Sequence, residues 1–90
     1  SFQKGKALRS IQVACQKRNT SIEEIEFMLG KVELALQEIG ERIIPSSRVG
    51  QLIMENLYEL DKVAYVRFTS VYKDFKDPSE FLNILKQLTN

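Results

Sequence analysis

The eighteen residues from Leu60 to Asp77, LDKVAYVRFTSVYKDFKD, constrain this chain more than any other stretch. Tyr65, Phe68, Tyr72 and Phe75 recur at spacings of three, four and three, so on a helix their rings stack along one face. Val63, Ala64, Val66 and Val71 add apolar surface on the other sides, which predicts the central helix of a small bundle rather than an amphipathic outer one. Arg67 sits among these apolar neighbours, and a largely buried guanidinium needs a carboxylate, a carbonyl or a phosphate to offset its desolvation. The simplest expectation is an ion pair with one of the many glutamates.

A bundle is also what the size permits. Ninety residues make one domain at most, and a chain this short buries only about 60 to 65% of its unfolded surface. A 43% hydrophobic content is enough for a globular class. The net charge of +1 argues for neither nucleic acid nor a membrane surface, but its distribution is uneven. Residues 1–20 carry Lys4, Lys6, Arg9, Lys17 and Arg18 with no acid, residues 21–61 carry nine acids against three bases, and residues 62–90 carry five bases against three acids. The basic first helix is therefore suited to meet phosphates, or else to lie against the acidic second helix.

Apolar spacing reads as helix almost throughout. Ala7, Leu8, Ile11, Ala14 and Cys15 form the first stripe, which places Cys15 in the core as an inert filler. Thr20 and Ser21, each followed three residues on by Glu23 or Glu24, offer a capping box for a second helix. Its buried face is Ile25, Met28, Leu29, Val32, Leu36 and Ile39, and Gly40 is its stop. Gly30, in mid-helix, suggests the close approach of another helix. Residues 42–44 are the one strand-like scrap. Beyond Pro45, Ser46 or Ser47 is placed to cap a third helix with the stripe Val49, Ile53, Leu57 and Leu60. Asp61 is the expected cap of the aromatic helix, and Asp77-Pro78 with Glu80 is the start signal of a fifth, striped by Phe81, Ile84, Leu85 and Leu88. The expected fold is thus mostly α, about five helices, with at most a short strand near 42–44.

The search for chemistry returns useful negatives. There is no glycine-rich phosphate loop, no metal-ligand spacing and no nucleophile beside a base, and the chain has no histidine and one cysteine. The carboxylates Glu23, Glu24 and Glu26 stand where helix-dipole partners stand. Neither an enzyme nor a disulfide scaffold is expected, no stretch approaches a membrane span, and a reduced, cytoplasmic setting fits best.

Three segments carry a family resemblance: FQKGKALRSIQVACQKR, IIPSSRVG and VGQLIMENLYELDKVAYVRFTSVYKDFKD. Together they resemble the ATP-cone domain of the NrdR family, bacterial repressors of ribonucleotide reductase genes, over nearly all of residues 1–90. The stretch AYVRFTSVYKDF is the most family-specific part, whereas the rest would suit ATP-cones in general.

The resemblance implies a domain that senses ATP or dATP, changes homo-oligomeric state with the bound nucleotide, and reaches DNA only through a separate zinc ribbon. That ribbon is absent from this sequence, and one cysteine cannot hold a four-thiolate zinc site. The family's short basic strand segment before the first helix is absent too, so Ile43 and Ile44 are expected to be irregular or paired between chains. Residue by residue, the resemblance implies Lys6 as a phosphate-contacting lysine and Gln3 at the position of an Asn or Asp at the helix start. It implies Ser46 as a hydroxyl near the pocket, and Tyr65 and Tyr72 as rings that flank base or sugar. Each has a plainer alternative: Lys6 a solvated charge, Ser46 a helix cap, the tyrosines core residues with hydroxyls at the rim. The competing reading of the whole is a ligand-free helical module for self-association.

Overall fold

The computed structural model describes residues 3–40 and 43–72, together with 79, 82, 83 and 86. Its helices are α1 (Lys4–Ala14), α2 (Ile22–Ile39), α3 (Ser46–Leu60) and α4 (Lys62–Tyr72), and no strand occurs among the described residues. The mostly helical class expected from the periodicity is the one observed. Of the fifth helix, Ser79, Leu82, Asn83 and Lys86 are helical. Its start signal at Asp77, Pro78 and Glu80 and its stripe at Phe81, Ile84, Leu85 and Leu88 lie outside the described residues, as do Phe75 and Arg42.

The helices close a ring in which α1 packs on α2 and α4, and α3 packs on the same two. Among the described residues each helix therefore has two neighbours and buries one broad stripe. Ile11 of α1, Leu29 and Val32 of α2, Leu57 of α3 and Ala64 of α4 meet in the core, fully removed from water. Cys15 is buried beside them as a free thiol, as its stripe predicts.

This ring corrects the expectation of a central aromatic helix. Helix α4 buries Ala64, Phe68 and Thr69, while Val63, Val71 and Tyr72 are 40%, 73% and 57% exposed. Among the described residues α4 packs on α1 and α3 alone, and its apolar residues on the other sides are not all buried. Thr69 is fully buried, and its hydroxyl donates to the Val66 carbonyl at 3.0 Å, which satisfies it within the helix.

Helix ends follow local chemistry. Ser21 and Glu24 form the reciprocal capping box at α2: the Glu24 amide donates to Ser21 Oγ at 3.1 Å and the Ser21 amide to Glu24 Oε1 at 3.0 Å. Gly40 ends α2 in the left-handed region at φ 73°. Helix α3 departs from expectation, since its N-cap is Pro45, whose carbonyl accepts from the amides of Arg48 and Val49. Gly30 also departs: a Cβ built there would meet nothing within 4 Å, so no helix approaches it closely. Ile43 to Pro45 are irregular, with Ile43 84% exposed, which is the first of the two outcomes expected for this segment.

Arg67 also corrects its expectation. The residue is exposed, and its Nη1 donates to the carbonyls of Ala14 at 3.2 Å and Gln16 at 2.7 Å. Those carbonyls belong to the end of α1, where the helix dipole is negative and acceptors lack partners. Among the described residues the guanidinium is thus partnered by a helix terminus and not by a glutamate.

Candidate functional site

The first turn of α1 presents its polar groups outward. Gln3 is the N-cap at φ −98° and ψ 87°, it is exposed, and its side chain makes no capping hydrogen bond. Lys4 turns toward α2, its Nζ 3.7 Å from Glu33 Oε1, so part of the basic helix does lie against the acidic one. Lys6 does not: it is exposed and, among the described residues, forms no ion pair. Its ammonium is available as a point charge with three donors.

One turn further along α1, Ser10 lies on the same face as Lys6. Its Oγ donates to the Lys6 carbonyl at 3.1 Å and accepts the Tyr72 hydroxyl at 2.7 Å. The Tyr72 ring stacks on buried Phe68, with centroids 4.5 Å apart and planes 30° apart. Folding therefore brings Tyr72 against the turn of α1 that carries Lys6, far away in sequence, through a serine that spacing alone did not single out. The signal for Ser10 was its i+4 relation to Lys6, which becomes meaningful only once α4 is docked.

Tyr65 goes elsewhere. It lies two turns before Tyr72, about 10 Å along the helix axis, half-buried against the core. Its ring meets Tyr58 of α3 edge-on at 5.2 Å and 86°. Burial, with Tyr58 adding to it, pushes the Tyr65 hydroxyl above its ordinary pKa. Ser46 opens α3, and its side chain lies outside the described residues.

A groove between the start of α2 and the end of α3 is walled by Glu23, Glu24, Glu59 and the ring of Phe27. Three carboxylates make it a poor place for an anion. Among the described residues no group of three or more His, Cys, Asp or Glu side chains is placed to hold a metal ion. Among the same residues no helix is long and apolar enough to cross a membrane.

A helix turn that carries an exposed lysine, forming no ion pair among the described residues, and a serine bonded to a tyrosine hydroxyl has the functional groups that suit a ligand anionic at one end and polar and aromatic at the other. The chain belongs to the ATP cone domain family, whose model matches residues 1–78. Membership implies a regulatory domain that binds adenine nucleotides. The chain is 49% identical over 87 residues to the transcriptional repressor NrdR of Citrifermentans bemidjiense, an alignment covering 97% of this chain and 58% of that protein. It is 45% identical over 87 residues to the NrdR of Geobacter sulfurreducens, with the same coverage. To that of Kosmotoga olearia it is also 45% identical over 87 residues, covering 97% of this chain and 55% of the relative. The chain thus spans less than two thirds of the length of these repressors.

Proposed function

We propose that this chain is the nucleotide-sensing domain of a bacterial, cytoplasmic transcriptional repressor of ribonucleotide reductase genes, with ATP or dATP as its effector. The observation that carries the reading is the docking of Tyr72, through Ser10, on the turn of α1 that carries the exposed Lys6, within the family-matched region. Lys6 meets the phosphates as a point charge, Tyr72 flanks sugar or base, and Gln3 and Ser46 stand at the starts of α1 and α3 to complete the contacts. Tyr65 supports the site from the core, against Tyr58. Bound nucleotide then alters the homo-oligomeric state of the repressor, and DNA is read by a zinc ribbon elsewhere in the polypeptide.

The test is a calorimetric titration of dATP, with ATP beside it, into the full-length parent protein. Saturable heat that differs between the two in affinity or stoichiometry supports a sensor. Absence of heat from folded, nucleotide-free protein overturns it in favour of a ligand-free assembly module, for which the outward-facing Phe27 and Leu34 of α2 are the supporting surface.

A further inference from the structure

We infer that Ser10 is a positioning residue that fixes both the place and the hydrogen-bond polarity of Tyr72, and so assigns Tyr72 to a donor group on the sugar or base of the nucleotide rather than to its phosphates. The inference rests on the nucleotide-sensing reading and deepens it.

A backbone carbonyl can only accept a hydrogen bond. Ser10 Oγ lies 3.1 Å from the Lys6 carbonyl oxygen, so the single serine proton is directed there. Ser10 then faces Tyr72 with lone pairs alone. The 2.7 Å contact between the two hydroxyls therefore requires the phenol to donate. With its proton held by Ser10, the Tyr72 oxygen turns only lone pairs to solvent. An acceptor of this kind repels phosphate oxygens and suits an O–H or N–H donor, such as a ribose hydroxyl or the exocyclic amine of adenine.

Lys6 is the opposite, offering donors alone. Lys6 stands one helical turn from the serine that holds Tyr72, which offers a cationic donor for the anionic end of the ligand and an acceptor for its nucleoside end. Tyr72 is more than half exposed, and among the described residues its stack on Phe68 is the other contact that holds the ring. Ser10 provides the second point of attachment, and that is its role.

The experiment uses the full-length parent and compares wild type, Ser10→Ala, Ser10→Thr, Tyr72→Phe and the double variant Ser10→Ala/Tyr72→Phe. Binding of dATP and of inorganic tripolyphosphate, which has anionic charge but no nucleoside, is measured by calorimetry. Alanine favours the helix at position 10, so folding is retained. The expected result is about a three- to tenfold loss of dATP affinity in Ser10→Ala and Tyr72→Phe. Ser10→Thr stays near wild type, and the double variant is no worse than Tyr72→Phe. Tripolyphosphate affinity is the same in all five. Wild-type affinity for dATP in Ser10→Ala, multiplicative losses in the double variant, or an equal loss for tripolyphosphate would each overturn the inference while leaving the sensor reading intact. Failure of the wild type itself to bind dATP would remove the sensor reading.

Discussion

Arg18 meets Asp61 through a single nitrogen, its Nε 3.2 Å from Oδ1 and 3.0 Å from Oδ2 of the carboxylate. The same carboxylate accepts the amides of Val63 and Ala64 at the start of α4, each at 3.0 Å, and the Thr20 hydroxyl at 3.1 Å. One side chain thus caps α4 and ties the α1–α2 connection to the α3–α4 junction. With its side chain only 7% exposed, Asp61 needs all of these donors.

The first prediction concerns pH. Burial would raise the Asp61 carboxyl, but the hydrogen bonds from Arg18, the Ala64 amide and Thr20, with the Arg18 charge, outweigh it and hold the group below the ordinary carboxylate range. A folded value below the unfolded one adds stability above the ordinary range of about 3.9. That contribution is lost as pH falls through the folded value. Asp61→Asn keeps a capping oxygen but loses the ion pair. It should cost about 1–2 kcal/mol at pH 7, with a midpoint drop of about 4–8 °C per kcal/mol. Thermal melts of both proteins should show a wide gap at pH 7 that narrows at pH 3. A gap independent of pH would refute the electrostatic assignment.

The second prediction concerns Arg67, which reaches across from α4 to the end of α1. Arg67→Ala leaves two carbonyls at a negative helix terminus without their charged donor, and should cost about 1–2 kcal/mol given the exposure of the site. Denaturant unfolding by circular dichroism reads the loss directly. A midpoint unchanged from wild type would mean that water replaces the guanidinium without cost.

What was legible in the sequence followed from local rules. The Ser21–Glu24 box, the Gly40 stop, the Asp61 cap and the buried Cys15 each rest on a spacing of a few residues, and each is found where the pattern puts it. What was not legible depends on which elements become neighbours. Nothing local says that Arg67 will face the end of α1, that α4 will keep Val71 and Tyr72 uncovered, or that Thr20 will turn away from Glu23 to Asp61. The candidate site divides the same way. Lys6 and Tyr72 carried a family signal in the chain, but Ser10 gains its role only from the docking of α4, which also separates Tyr65 from Tyr72.

Backbone geometry gives a third prediction, with opposite signs at three positions. Gly30 is helical with open space where a Cβ would stand, so Gly30→Ala should raise stability by about 0.5–1 kcal/mol. Gly40 is left-handed at φ 73°, so Gly40→Ala should lower it by about 1 kcal/mol. Lys17 is a non-glycine residue at φ 62° just past the end of α1, so Lys17→Gly should raise it by a similar amount. Melting curves of the three variants should fall in that order of sign, and a loss in Gly30→Ala would show that the outer face of α2 is covered in the folded protein.

The thiol of Cys15 supplies a fourth. Burial pushes its pKa up and Asp61 adds to the rise, against smaller opposing effects of Arg67 and Arg18. The nucleophilic thiolate is therefore scarce at neutral pH, and the sulfur is shielded as well. Reaction with an aromatic disulfide reagent should be slow in the native protein at pH 8 and complete on mixing in denaturant. Asp61→Asn should speed the native reaction by loosening the junction beside Cys15, and prompt labelling of the wild type would place the thiol at the surface.

The last prediction separates the two tyrosines and the lysine by role. In the full-length parent, Lys6→Ala should weaken dATP binding by about tenfold or more, because it removes a charged donor to the phosphates while leaving an exposed helix position intact. Its effect should shrink as salt rises from low ionic strength, since the contact is solvent-exposed and screened. Tyr65→Phe should instead leave dATP affinity near wild type, because its ring packs on Tyr58 in the core and phenylalanine preserves that contact. Calorimetry at two salt concentrations checks both. Equal losses from Lys6→Ala and Tyr65→Phe would mean that the ligand reaches from α1 to Tyr65 on α4, whereas a salt-dependent loss confined to Lys6→Ala places it at the outward face of α1, where Tyr72 already leans.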